Sequence, residues 1–453
     1  MKILTYNKLM ELIRALRCRP SDTSQIFAFT GAGGKTTAIF QLAREMIRDG
    51  YSSVIVTAAT HLGAWQTPLA DQHIVVTDPH QLNGIQFHGV TLITGEIEND
   101  RTKPADQITL EWLGKYSKAH AIPLLIEADG SRQKSLKAPG LHEPPIPEFA
   151  DVVIVVAGLS ALDKPLTDEH VHRAEIFSQL ADLPIHQPIT ADAVTRVYTH
   201  PQGGLKNIPA TARRVALLTQ AETPKLQSIG GGMARQLLTH FDSVIVGDLS
   251  NHTLQNFEHT AGILLAAGAA TRFGAPKQIL DWKGKPFVRH IAETALHAGL
   301  WPVVVVTGFH AADVESALSG LPVRIIHNPE YQQGQSTSII KGISALPENT
   351  GAAIFLLADQ PQIPGEIIRA LIESHADTMQ PIHAPLVLEE RRANPVLFDQ
   401  ITFPDLLKLK GDIGGRAIFS NYKVEYIAWH DDRLLLDVDK PEDYQRLVED
   451  ETL

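Results

Sequence analysis

The chain has 453 residues, with 40 lysines and arginines against 51 aspartates and glutamates, a formal net charge of −11. Its 44% hydrophobic and 20% charged residues are the composition of a globular protein with a sizeable core, which excludes disorder, collagen and coiled coil. An acidic chain lacks the positive field that gathers nucleic acid or anionic lipid, so neither is an expected partner.

Residues 1–20 mix Lys and Arg with apolar residues at helical spacing and read as a surface helix rather than a signal peptide. Cys18 is the only cysteine, which rules out an intramolecular disulfide framework or a multi-cysteine metal cage and points to a reducing compartment. The longest apolar run, near Val152 to Leu162, falls far short of the ~18 to 20 residues that span a bilayer. The expectation is a cytoplasmic protein with no membrane partner. The 20 histidines are scattered, and no pair shows the HExxH spacing of a helical zinc site.

Short apolar, β-rich runs alternate with helical stretches, the pattern of an α/β fold with a mostly parallel sheet. The first half offers strands at Ile26 to Thr30, Ser53 to Thr57, Leu124 to Ala128, Val152 to Ala157, Val215 to Leu218 and Ser243 to Val246. The second offers Gly262 to Ala266, Pro302 to Thr307, Val323 to His327, Ala352 to Ala358 and Val424 to Trp429. Between them Leu249 to Thr260 is polar and amide-rich, as linkers are, and the halves share no repeat. Two different modules are expected, residues 1–254 and 255–453. His200 to Arg213 reads as a long loop near the first module's site.

In the first module a strand runs into Gly31, Gly33 and Gly34 and then into an amphipathic helix at Lys35, Thr36 and Thr37. Glycines let backbone N–H groups approach a phosphate, the helix start adds positive charge, Lys35 can reach terminal phosphates, and a Thr hydroxyl can ligate Mg²⁺. A strict P-loop would carry Gly at position 29, where this chain has Phe29, so the loop is two residues short. After PLLI come Glu127 and Asp129, carboxylates at a strand end where a Mg²⁺–nucleotide needs an acid. VTAATH (Val56 to His61) ends another strand; it either orients a nucleophile or substrate, or begins a helix with Thr57 or Thr60 as cap.

GAGGKTT, VTAATH, EADGSRQKSLKAPGLHEPPIP and HPQGGL together resemble the YqeC family, accessory to selenium-dependent molybdenum hydroxylases. The resemblance covers about residues 20 to 250. It implies a P-loop-like NTP-binding maturation factor, with Lys35, Thr36 and Asp129 on the phosphate and metal positions, and an apo-molybdenum hydroxylase as partner. LLTQAET (Leu217 to Thr223) holds no guanine-reading Asn-Lys-x-Asp.

In the second module GILLAAGAATRFGAPKQIL (Gly262 to Leu280) takes a strand into Ala266, Ala267 and Gly268, then a loop bearing Arg272, Gly274 and Lys277. Nucleotidyl transfer needs a backbone cradle for the triphosphate and fixed cations facing the charge on the α-phosphate and departing pyrophosphate. Arg272 suits a bidentate phosphate grip, Lys277 a compact point charge. Asp359 ends a second buried strand, and Asp437 and Asp439 precede a helix begun by Pro441. Asp359 and Asp439 are the expected Mg²⁺ ligands, since alternation along an extended segment turns one of the last two away. Ser336 at a helix start either reads a base or ribose or caps the helix, and Arg391 and Arg392 either meet an anion or cover surface.

LAAGAATRFGAPK, ADQP, NPVLF, KGDIGGR and DVDKPEDY resemble the MocA family of molybdenum cofactor cytidylyltransferases, within the MobA-like nucleotidyltransferases, over about residues 260 to 450. The resemblance implies a Rossmann-like domain that joins CTP to molybdopterin with release of pyrophosphate. It puts Asn394 and Asp412 on the pterin side and favours CTP through Ala267, where guanylyl enzymes carry Gly. Two other readings stand beside it: a different phosphorylated acceptor, or a cofactor carrier for an apo-hydroxylase.

Overall fold

A computed structural model describes residues 9–19, 24–268, 273, 276–388 and 391–449. Arg272 and Gly274 lie outside the described residues. The chain divides into two compact units, Met1–Phe257 and Glu258–Leu453. Among the described residues no helix is long and apolar enough to cross a membrane.

The first unit is built on parallel strands β1 (Ile26–Gly31), β2 (Ser53–Ala58), β3 (Gln72–Val75), β4 (Gly89–Thr94), β5 (Leu124–Glu127), β6 (Val152–Gly158), β7 (Arg213–Thr219) and β8 (Ser243–Asp248), ordered β8-β7-β6-β1-β5-β2-β4-β3. Central strands covered on both faces read as unbroken apolar runs. VVIVVAG of β6 is buried at every residue, as is IFAFTG of β1. Helix α1 (Lys35–Arg48) lays Ala38, Ile39, Leu42, Ala43 and Met46 onto this sheet, each side chain returning to the same face every three to four residues. The chain leaves β1 toward β2 on one side and later places β6 on the other. The crevice at the carboxyl end of β1 is therefore the switch point where open α/β sheets bind ligands.

The second unit uses β9 (Thr253–Ala266), β10 (Val303–Thr307), β11 (Arg324–His327), β12 (Thr350–Leu357), β13 (Ile382–Val387), β14 (Val396–Asp399) and β15 (Val424–Trp429), ordered β11-β10-β9-β12-β14-β13-β15. β14 runs antiparallel to both neighbours; the other pairings are parallel. Apolar clusters fill both faces, one around Leu264, Ile291, Val305 and Ile354 and one around Ile263, Val306, Ile339 and Phe398. β9 lies between β10 and β12, so its carboxyl end is again a switch point.

Leu249 to Thr260, expected as a linker, is strand from Thr253 onward. Its buried positions alternate, Leu254, Asn256, Glu258 and Thr260, so the inward face has period two but is largely polar. An apolar-pattern reading does not register such a strand.

Candidate nucleotide sites

In the first unit the turn out of β1 is fixed by crowding. Gly33 has φ +90°, and a Cβ there would stand 2.3 Å from the backbone nitrogen of Gly158. The ends of β5 and β6 press so close that they take up the loop's own donors. Gly31 N–H donates to Asp129 Oδ1 at 3.1 Å, Ala32 N–H to Val156 O at 2.9 Å, and Gly33 N–H to Lys134 O at 3.0 Å. The N–H groups of Gly31, Ala32 and Gly33 are thus already taken up within the fold. At the start of α1 Gly34 is left-handed with φ 111°, and the ladder begins with Ala38 N–H on Gly34 O. The N–H groups of residues 34–37, Lys35, Thr36 and the exposed Thr37 included, have no acceptor within the helix, and the positive end of its dipole lies among them.

Lys35 is turned inward: its Nζ donates to Gly31 O at 2.6 Å and stands 3.3 Å from Asp129 Oδ1. Asp129 is also met by Lys137 Nζ at 2.7 Å, with both side chains 1% exposed. Asp129 thus accepts from two ammonium groups and from the Gly31 N–H. The residue beside Thr36 is Glu127, whose Oε2 accepts the threonine hydroxyl at 2.8 Å. Burial pushes the Glu127 carboxyl up, against the pull of Lys35. This hydroxyl–carboxylate pair at a helix start has the oxygen donors a divalent cation takes.

Lys137 continues the network to Glu143 at 2.6 Å, and Arg173 closes a fork on the same carboxylate with two contacts of 2.8 Å. Burial opposes ionisation of Glu143, but these cations hold its carboxyl down at about 2. Its ordinary value is 4.5, so the ionised carboxylate stabilises the unit above pH 4.5, and that contribution is lost as pH falls toward about 2. Glu143→Gln is expected to lower the denaturation midpoint at pH 7, with the gap to wild type closing between pH 4.5 and about 2. A gap independent of pH would contradict the assignment.

The long loop after residue 199 packs onto the same stretch: Lys206 Nζ donates to Gly140 O at 2.6 Å and Asn207 to Pro144 O at 3.0 Å. Gly203 and Gly204 join Thr30, Asp129, Lys137 and Tyr198 in lining a small cavity behind the loop. VTAATH does not begin a helix capped by Thr57 or Thr60. Thr57 donates to Ile93 O at 2.8 Å, His61 Nδ1 lies 2.9 Å from Thr102 O, and the helical turn that follows is capped from Gly63.

In the second unit Lys277 occupies the first position of a short 3₁₀ turn, Lys277–Ile279, and its side chain is 12% exposed. Its Nζ stands 2.5 Å from Asp439 Oδ1 and 3.7 Å from Asp359 Oδ2. Gln278, next on the turn, is buried and donates to Ala266 O at 3.3 Å and Gly268 O at 2.6 Å, tying the turn to the end of β9. Ala267, also buried, accepts the N–H of Phe309 at 3.2 Å.

Asp359 follows β12 and accepts Val438 N–H on its backbone carbonyl at 3.1 Å, which brings the distant 437–439 segment to the strand end. Burial pushes the Asp359 carboxyl up to about 6 against the pull of Lys277, and Asp437 and Asp439 add in the same direction. Asp437 does not turn away. Asp439 N–H bonds to Asp437 O at 3.0 Å, so the segment is a tight turn to which strand alternation does not apply, and Asp437 Oδ1 accepts Gln360 Nε2 at 2.5 Å. Asp443 Oδ2 accepts the N–H groups of Asp439 and Lys440 at 3.0 and 2.8 Å, a cap for the helix α2 (Pro441–Glu449).

Among the described residues no cluster of three or more His, Cys, Asp or Glu side chains could hold a metal. Asp359 and Asp439 converge instead on one ammonium, so a cationic charge is what the site is built around. Two carboxylates fit a Mg²⁺ that takes its remaining oxygens from phosphates and water.

Ser336 and Asp412 are occupied with each other's loops. Ser336 is 1% exposed and its hydroxyl donates to Gly411 O at 2.7 Å. Asp412 Oδ1 accepts Gln335 N–H at 3.2 Å. Asn394 Oδ1 accepts Arg416 Nη2 at 3.3 Å. Arg392 lies over the rings of Tyr426 and Phe419, at 5.6 and 6.0 Å from their centroids. Lys137, Glu143, Arg173, Gln278, Gln360 and Arg416 were not singled out by sequence reasoning, although all but Arg173 stand inside motifs that were.

The YqeC protein family matches residues 27–175, and the MobA-like NTP transferase domain family matches residues 262–426. The uncharacterized protein YqeC of Escherichia coli strain K12 is 29% identical over 240 residues, 50% of this chain and 88% of that protein. Nicotine blue oxidoreductase of Paenarthrobacter nicotinovorans is 31% identical over 197 residues, 41% of this chain and 95% of that protein. The purine catabolism protein PucB of Bacillus subtilis strain 168 is 30% identical over 200 residues, 40% of this chain and 93% of that protein. The crystal structure of Rv0371c from Mycobacterium tuberculosis H37Rv is 24% identical, covering 42% of this chain and 98% of that one, with a TM-score of 0.39.

Proposed function

Because the chain belongs to the MobA-like NTP transferase family in its second unit and to the YqeC family in its first, and so is a nucleotidyltransferase, we propose that it transfers the cytidylyl group of CTP to molybdopterin. The observation that carries this reading is the convergence of Lys277, Asp359 and Asp439 at the carboxyl end of the central strands. That group is suited to a triphosphate with a divalent cation; the redox name of one relative belongs to that relative.

In the reaction an oxygen of the acceptor phosphate forms a bond to the α-phosphorus of CTP while the bond from that phosphorus to the bridging oxygen breaks, and pyrophosphate leaves with the electron pair. No protein nucleophile is required, because the attacking phosphate oxygen is already ionised at neutral pH. Lys277 holds a fixed positive charge where the pyrophosphate departs, and its low exposure strengthens that charge by excluding water. Asp359 and Asp439 would hold Mg²⁺, which when bound neutralises phosphate charge. Gln278 keeps the carbonyls of Ala266 and Gly268 turned toward itself, fixing the backbone on which the nucleotide rests. The preference for CTP rests on the resemblance to cytidylyl enzymes at Ala267, whose methyl would act through how closely the base edge packs. Arg272 and Gly274 complete the phosphate loop in this reading.

For the first unit we infer an NTP-binding accessory role in maturing an apo-molybdenum hydroxylase. The support is a helix start with free-standing N–H groups beside Lys35, Thr36 and Glu127. Lys35 would exchange Gly31 O and Asp129 for a terminal phosphate. Charged hydrogen bonds contribute roughly 1.5–3 kcal/mol, so Lys35→Ala is expected to weaken NTP binding to this unit by about 10- to 100-fold. The second unit's pyrophosphate release should stay unchanged. Equal NTP affinity in wild type and variant, by equilibrium titration, would remove the assignment.

A further inference from the structure

The second unit presents a cation that the reaction above leaves without a role. Arg416 is exposed, and among the described residues it forms no ion pair; its hydrogen bond runs from Nη2 to Asn394 Oδ1. Its position follows from the sheet. β14 is antiparallel to β12, with Val396 opposite Phe355, so Asn394, two residues before Val396, lies toward the end of β12 that carries Asp359. Arg416 is therefore held at the same sheet end as the carboxylates.

The loop that carries Arg416 is seated firmly. Gln335 N–H on Asp412 Oδ1 and the Ser336 hydroxyl on Gly411 O clamp it from one side. On the other side a Cβ at Gly415 would stand 2.8 Å from Phe398 Cζ, so the glycine backbone lies close on the ring of a β14 residue immediately before the arginine. A fixed loop that ends in an exposed guanidinium resembles an anion receptor more than a surface covering. Its planar fork matches two oxygens of one phosphate, and the amide of Asn394 accepts from Arg416 through oxygen while carrying its own donors on Nδ2.

We propose that Arg416, steadied by Asn394, anchors the phosphate of the acceptor, a phosphomonoester. The proposal rests on the reading of this unit as a nucleotidyltransferase with a phosphorylated acceptor. The nucleotide has its own cation, Lys277, paired to Asp359 and Asp439, whereas Arg416 stands on the β14 side of Asp359. Asp412, expected on the acceptor side, acts on it through the seating of this loop.

The test titrates inorganic phosphate into the full chain already saturated with CTP and Mg²⁺, comparing wild type, Arg416→Ala and Arg416→Lys by calorimetry. The alanine variant is expected to lose at least tenfold in phosphate affinity while its CTP affinity stays within twofold. Lysine, which keeps the charge and loses the fork, should recover part of the loss. Phosphate binding equal in wild type and Arg416→Ala, or a fall in CTP affinity by the same factor as phosphate, would overturn the proposal. The titration needs no pterin, so absence of turnover with molybdopterin would remove that acceptor and leave this result standing.

Discussion

Lys277→Ala is expected to reduce NTP-dependent pyrophosphate release by about 10²- to 10³-fold, the loss typical when one preorganised charge or donor is removed from a developing anion. The geometry gives the residue this weight. Lys277 is 12% exposed, is carried on a turn that Gln278 ties to the end of β9, and faces two carboxylates that would otherwise repel. The effect should appear in kcat, measured with saturating nucleotide and acceptor, with the thermal midpoint little changed because the neighbouring Asp439 is 44% exposed. A variant within tenfold of wild type would contradict the role. The same substitution separates enzyme from carrier. A chain that only ferries a finished dinucleotide would still deliver it to an apo-hydroxylase after losing Lys277.

Asp359→Asn is expected to abolish metal-dependent turnover, a loss of at least about 10²-fold, since a bound cation contributes several kcal/mol of charge stabilisation in the transition state. The substitution keeps the shape and removes the charge at the rigid end of a buried strand. Asp439→Asn should cost less, because Asp439 sits on a turn and is the more exposed of the pair at 44% against 30%. Titration of Mg²⁺ against pyrophosphate release reads both. Full activity of Asp359→Asn at saturating Mg²⁺ would mean that another group holds the cation.

What could be read from the residues, and what could not, divides along physical lines. β1, β6, β9 and β12 stand in the sequence as apolar runs because central parallel strands are covered on both faces. β3 did not stand out: Gln72–Val75 is an edge strand with no buried residue. The amino-terminal half of β9 buries Asn256 and Glu258, which look like linker residues until their alternation is seen. In the sites, local geometry was accessible from local sequence. Lys35 and Thr36 do open a helix after a glycine turn, and Asp359 does end a strand. Pairings across long separations were not. Lys277 meets Asp439 over 162 residues, and Lys35 meets Asp129 across the fold. The loops of Ser336 and Asp412 clamp each other over 75 and 77 residues, and neither side chain's partner is visible in its own motif. Glu127 was seen, but which of two neighbouring acids faces Thr36 depends on the tilt of one strand end.

The measurement that bears most directly on the central claim is pyrophosphate release by the purified chain with Mg²⁺ and molybdenum-loaded molybdopterin, comparing CTP with GTP and ATP. Release confined to CTP and dependent on the pterin is the expected result. Release without the pterin, release with GTP or ATP equal to that with CTP, or none with any of the three would contradict cytidylyl transfer to molybdopterin.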